Sequence, residues 1–161
     1  MISGFPILMQ DKKKIVLIPK SHDEKGLPVF FDGAVTLSAP FDNATIGRKV
    51  REMIKLCEAT PLLSVGRDED ILEEATGCKN GDSKELNEAG WKWASVMNMP
   101  GPGKNEPSKI KEKGIEVSVQ KFRHGGFIGF TSDPSFPLPL DCSDEELGET
   151  VLKAFASIET M

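Results

Sequence analysis

The amino-acid sequence predicts an α+β domain: a mostly antiparallel sheet of about five or six strands, packed with two main helices and one short helix. Three features point there. Short apolar runs split by turn residues crowd the N-terminal quarter, as strands do. Two long segments, one before Thr60 and one after Ser143, repeat apolar residues at helical spacing. Between them Ile115, Val117 and Val119 alternate with Glu116, Ser118 and Gln120, the period of a half-buried strand. At 161 residues the chain reads as one domain, 1–161, long enough to bury a substantial core.

Taken in order, residues 7–9 and 15–18 flank a polar stretch and read as a hairpin. Residues 21–28 read as a loop; Val29-Phe30-Phe31 follows, Asp32-Gly33 marks a turn, and 34–38 reads as another strand. The first helix puts Ile46, Val50, Met53, Ile54 and Cys57 on one face. Asp42 or Asn43 can cap it, because a short side-chain oxygen accepts from first-turn amides, and Thr60-Pro61 ends it. A shorter helix from about 68 to 76 turns Ile71, Leu72 and Ala75 inward and stops at Gly77. Residues 78–83 read as a polar loop and 91–99 as a strand with Trp91, Trp93, Ser95 and Met97 on one side. Residues 100–114, rich in Pro, Gly and Lys, read as an exposed connection. After the alternating strand, Arg123-His124-Gly125-Gly126 turns the chain back into 127–131. The proline-rich 134–140 can pair only at an edge. Ser143 and Glu146 form a capping box before a helix whose buried stripe is Leu147, Val151, Leu152, Phe155 and Ile158.

The two long helices share a local pattern. Thr45-Ile46-Gly47-Arg48-Lys49-Val50 and Glu146-Leu147-Gly148-Glu149-Thr150-Val151 align at an offset of 148 − 47 = 101 positions, and each follows an extended piece and an acidic cap. Glycine inside a helix costs about 1 kcal/mol relative to alanine. Its recurrence at one helical position implies close approach of the backbone to another element, expected to be the sheet. The alternative is coincidence over a short match.

Net charge is −5 and the sequence pI about 5.1, which argues against broad nucleic-acid binding, since neutralising phosphates needs a surplus of Lys and Arg. An acidic protein suits a basic partner, although solubility alone also accounts for the charge. The cysteines, Cys57, Cys78 and Cys142, are odd in number and widely spaced, so a disulfide framework is not expected and a reducing, cytoplasmic setting is. The first twenty residues break their apolar pieces with Asp11-Lys12-Lys13-Lys14 and read as neither signal peptide nor membrane span.

A search for chemistry returns no expected catalytic, metal or cofactor residue. His22 and His124 have no Cys or His neighbour at ligand spacing, and no nucleophile elbow occurs. Gly101-Pro102-Gly103 lacks the third glycine of a phosphate loop, and Pro102 lacks the amide that such a loop uses. Two features remain. Asp68, Glu69, Asp70, Glu73 and Glu74 crowd one short segment: a solvated face, or a site for a basic partner. Trp91 and Trp93 are either core or an interface anchor, where tryptophan is enriched.

The last third carries a family resemblance. Ile115-Glu116-Val117-Ser118-Val119, then His124-Gly125-Gly126-Phe127, Pro139-Leu140-Asp141, and the string S-D-E-E-L-G-E-T-V-L-K-A from Ser143 to Ala154 resemble the C-terminal half of bacterial contact-dependent growth-inhibition (CDI) immunity proteins, CdiI-like. Asp82-Ser83-Lys84-Glu85-Leu86 leading to Trp93-Ala94-Ser95-Val96 is a fainter match, and the N-terminal third matches poorly. The resemblance implies a non-enzymatic cytoplasmic antidote without cofactor. It would bind the cognate toxin C-terminal domain of a large exported CDI protein, frequently a nuclease, and block its active site. It carries no binding residues across. The hypothetical contacts are the five acids above with Trp91 or Trp93, and either an acidic patch or an open sheet edge could receive the toxin. Two other readings stay open: a small hydrolase using buried carboxylates, and a non-catalytic adaptor of a secretion system.

Overall fold

The computed structural model describes residues 4–60, 68–78, 82–99, 113–130 and 132–160. The first apolar runs pair as strands β1 (Ile7–Gln10) and β2 (Lys14–Ile18). Asp11 Oδ1 accepts from the Lys13 and Lys14 amides at 2.8 Å each, which holds the tight turn. The expected loop 21–28 is flanked by two short strands, β3 (Lys20–His22) and β4 (Pro28–Phe30, which takes in Val29-Phe30 of the apolar piece), and these form a separate two-stranded sheet. The turn between them is built on Asp23, whose Oδ1 accepts from the Lys25 and Leu27 amides, and on Gly26 at φ 80°.

The main sheet gains β5 (Val35–Ser38), β6 (Lys92–Met99), β7 (Gly114–Arg123), β8 (Gly126–Ile128) and β9 (Ser135–Pro139). Its order is β5-β2-β1-β6-β7; β9 flanks the first half of β7 and β8 the second, and every pairing is antiparallel. Among the described residues the sheet has seven strands, and it is the mostly antiparallel α+β sheet that the sequence predicts at about five or six. The β7–β8 turn is a two-residue hairpin with His124 at φ 51° and Gly125 at φ 83°, the left-handed pair a type I′ turn requires.

Among the described residues four helices cover the sheet: α1 (Asn43–Ala59), α2 (Asp68–Thr76), α3 (Ser83–Glu88) and α4 (Asp144–Ser157), followed by a 3₁₀ turn, Ile158–Thr160. Strand alternation splits the core in two. Leu8, Ile15 and Leu17 point to the face under α1 and α4. Ile7, Met9, Val16 and Ile18 point to the other, under α2, α3 and Phe30 of β4. The short helix α3 is one more than the sequence suggests. It is capped by Asp82 and buries only Leu86, so it has no apolar period to read.

The caps of the long helices match expectation. Asp42 accepts from the Thr45 amide at 3.0 Å, and Ser143 Oγ from the Glu146 amide at 3.1 Å. The helical glycines correct one expectation: they lie where α1 and α4 cross each other, not against the sheet. A Cβ on Gly47 would stand 1.8 Å from the Asp144 carbonyl oxygen, and one on Gly148 1.8 Å from that of Asn43. Two side chains between the backbones would hold the helices apart, so only glycine permits this crossing. Arg51 of α1 ties the crossing to the start of α4 and the chain before it, donating from Nε to Asp144 (3.0 Å), from Nη1 to the Leu140 carbonyl (3.2 Å) and from Nη2 to the Cys142 carbonyl. All three cysteines are buried and free, and burial pushes the Cys57 thiol up to about 11, far from reactivity.

Beyond the β7–β8 hairpin, Asp133 takes both arms of the Arg123 guanidinium (2.7 and 2.9 Å) and the Phe130 amide (2.8 Å). The Phe130 ring lies over the same guanidinium at 4.2 Å. The hydrogen bonds from Arg123 and Phe130 hold the Asp133 carboxyl down at about 2, from an ordinary 3.8. A lowered folded value makes the clamp fully favourable above about pH 4 and progressively lost as pH falls toward 2. Protection of the Phe130 amide from hydrogen exchange, taken against the intrinsic rate at each pH, is therefore expected to fall between those values in the native protein. In Asp133→Asn exchange should be fast at neutral pH and protection should lose that acid-dependent step; an unchanged profile would remove the clamp from the account.

Candidate functional site

Helix α2 is amphipathic at short range. Ile71, Leu72 and Ala75 are buried against the sheet, while Asp70, Glu73 and Glu74 are exposed on the outer face. Asp68 and Glu69 begin the same helix, but their side chains lie outside the described residues. Packing on the second core layer places α2 beside β5, the terminal strand of the sheet. Between them lies a cleft of about 320 Å³ lined by Asp32, Ala34 and Thr36 from the β4–β5 side and by Ile71, Glu74 and Ala75 from α2. Its lining is more polar than apolar, and two carboxylates, Asp32 and Glu74, stand in it. Asp32 and Thr36 were not legible as site residues. Asp32-Gly33 reads locally as a turn, and only long-range packing brings it to Glu74.

The β5 edge is itself a polar feature. The Ala39 amide donates to the Lys13 carbonyl at 2.8 Å, so it points into the sheet. Amides alternate sides along a strand, which turns those of Thr36 and Ser38 outward. Among the described residues no strand pairs with that outer side. The opposite edge differs: β9 carries Pro137 and Pro139, which have no amide hydrogen to offer. The acidic helix and the open edge, two separate candidates in the sequence, are thus neighbours on one surface.

The tryptophans divide. Trp91 is 4% exposed in the layer under α2 and α3, with the Lys14 ammonium 5.6 Å from its ring centre. The structure therefore removes Trp91 as a surface anchor: its ring is core. Trp93 is half-buried and stacks on Phe127 at 5.2 Å, at the end of the sheet near the β7–β8 hairpin. Among the described residues the buried polar side chains are Ser21, Thr76 and Ser95. Also among them, no three His, Cys, Asp or Glu side chains cluster to hold a metal, and no helix is long and apolar enough to cross a membrane.

No protein-family model matches the sequence, and no curated protein matches it. Solved structures do match its shape. A chain of the CdiA-CT/CdiI toxin and immunity complex from Yersinia pseudotuberculosis shares this fold. That likeness has a TM-score of 0.60 at 12% identity and covers 97% of both chains. A protein of unknown function from Neisseria meningitidis matches equally well, with a TM-score of 0.60 at 14% identity over 96% of this chain and 94% of that one. At such identities the shared property is the fold, and it runs nearly the whole length of each chain.

Proposed function

We propose that this chain is an immunity protein that binds a cognate CDI toxin domain, a nuclease in the favoured reading, and blocks its active site. The observation that carries the proposal is the fold held in common, along nearly the full length, with a chain of a toxin and immunity complex. The acidic face of α2 beside the open β5 edge supports it, because a nuclease must present basic residues to phosphates and an acidic surface meets them. Binding of this kind needs no catalytic residue, and inhibition in the cytoplasm is where an antidote would act.

The test is co-expression with the toxin domain encoded directly upstream. Cells carrying both are expected to survive, and the two proteins to elute together as a one-to-one complex. Death of the cells despite a folded, soluble partner, with the two proteins eluting apart, would sink the proposal.

A further inference from the structure

We infer that the chain is two β-β-β-α units fused in tandem, and that the surface between them is a self-complementary interface whose fitting occupant is a second copy of the same unit. The first unit is β1, β2, β5 and α1; the second is β6, β7, β9 and α4. The inference goes beyond the proposed function and does not depend on it.

The pairing register repeats residue for residue. Leu8 faces Leu17 and Met9 faces Val16 in the first unit; Val96 faces Val117 and Met97 faces Glu116 in the second. One strand further out, Ile15 faces Leu37 and Leu17 faces Val35, while Ile115 faces Leu138 and Val117 faces Phe136. The edge strands and helices share one offset, 101 positions, so the connections before the two helices are equally long. Both helices then start in the same way, with a cap (Asp42, Ser143) accepting from the third residue on (Thr45, Glu146). Their buried faces coincide: Ile46, Gly47 and Val50 recur as Leu147, Gly148 and Val151, and Met53 and Ile54 as Ala154 and Phe155.

The contacts between the units are reciprocal, the mark of a two-fold interface in which residue i meets j and j meets i. Gly47 meets Asp144 and Gly148 meets Asn43, each carbonyl oxygen lying 1.8 Å from where a Cβ would stand, and each contact is the other moved by 101 positions. In the sheet, Ile7 pairs with Ser95, its own equivalent, as a residue beside a two-fold axis must. The Leu8–Ala94 pair is answered across the axis by the Val96 amide bonding to the Pro6 carbonyl at 3.3 Å. A helix pair that happened to cross at two glycines would not also carry this register through six strands.

Symmetry is broken where the candidate site lies. At equivalent edge positions, Thr36 and Ser38 of β5 answer to Pro137 and Pro139 of β9. On the face away from α1 and α4, Val16 and Ile18 answer to Glu116 and Ser118. One copy keeps an open edge and an apolar layer for α2 to cover; the other closes its edge with proline.

Exchanging the equivalent segments tests the inference. In one variant residues 42–54 and 143–155 change places in register; in a second they are exchanged one position out of register, with nearly the same composition. The in-register chain is expected to melt cooperatively within about 10 °C of the parent and the shifted one to lose its transition, because the shift moves a Cβ onto the crossing. Equal behaviour of the two, folded or unfolded, overturns the inference. Single Gly47→Ala and Gly148→Ala variants give a second reading: equivalent sites should lower the melting temperature equally, within about 3 °C, and unequal losses overturn it. Neither set alters β5 or α2, so loss of toxin binding by a folded exchange variant would move the toxin interface onto α1 and α4 and leave the tandem inference standing, whereas failure of the parent chain to bind the toxin would count against the proposed function alone.

Discussion

Gly47→Ala is expected to lower the melting temperature by about 10 °C, and Gly148→Ala by the same amount. Intrinsic helix propensity argues the other way, since alanine is favoured over glycine by about 1 kcal/mol. Packing wins because the new methyl would lie 1.8 Å from a backbone carbonyl oxygen of the facing helix. No rotamer relieves a Cβ, and no side chain can swing away from it, so the helices themselves must separate. Separation pulls Val50 and Val151 off a layer in which both are wholly buried. Overpacking typically costs 1–3 kcal/mol, and a clash with backbone belongs at the upper end, about 3 kcal/mol net. For a domain of this size each kcal/mol moves the transition by about 2–4 °C. Gly126→Ala is the control: nothing lies within 4 Å of its Cβ, and its melting temperature should barely move. Thermal unfolding of the three variants decides the matter, and a gain in stability at either helical glycine would mean that the helices do not meet there.

The second large effect is expected at the surface. Reversing Asp70, Glu73 and Glu74 to lysine should weaken toxin binding about 100-fold while leaving the protein folded. An exposed ion pair contributes about 0.2–1 kcal/mol; reversal replaces attraction by repulsion, so three positions sum to about 3 kcal/mol, or two orders of magnitude. The loss should appear largely in the association rate and shrink at high salt, as steering by exposed charge does. Stability should hold because these side chains are exposed, and α2 has no basic residue in its last turn, where lysines at 73 and 74 would favour the helix dipole. Titration calorimetry at two salt concentrations, with circular dichroism of the free variant, measures both halves. Unchanged affinity would move the interface away from α2, with the β5 edge as the next surface to block.

Much of the secondary structure was legible because it is written in local terms. The helix caps at Asp42 and Ser143, the stop at Gly77, the alternation around Val117 and the I′ turn at His124-Gly125 each depend on residues a few positions apart. Strand edges were harder. Nothing in its residues distinguishes β3 from a loop, because its turn is held by Asp23 gathering the Lys25 and Leu27 amides, and α3 buries one leucine. The repeat stood in the sequence as a pair of glycines, but its meaning did not. A glycine announces that some backbone comes close, and it takes the fold to say which one.

The site divides along the same line. That five acids share a short helix, and that this helix buries Ile71, Leu72 and Ala75, follows from spacing alone. That Trp91 is core and Trp93 half-buried does not, because both pack on one apolar layer and only the fold says which sits within it and which at its rim. Nor does the meeting of Glu74 with Asp32 and Thr36, which are distant in sequence and joined only through the sheet. The sequence by itself determined the class of fold, the acidic character of α2 and the glycine spacing, since each rests on short-range periodicity and charge. The tertiary structure alone decided which edge stays open, what the glycines approach and how the two halves mirror each other, because these depend on strand order and register, which no local pattern encodes.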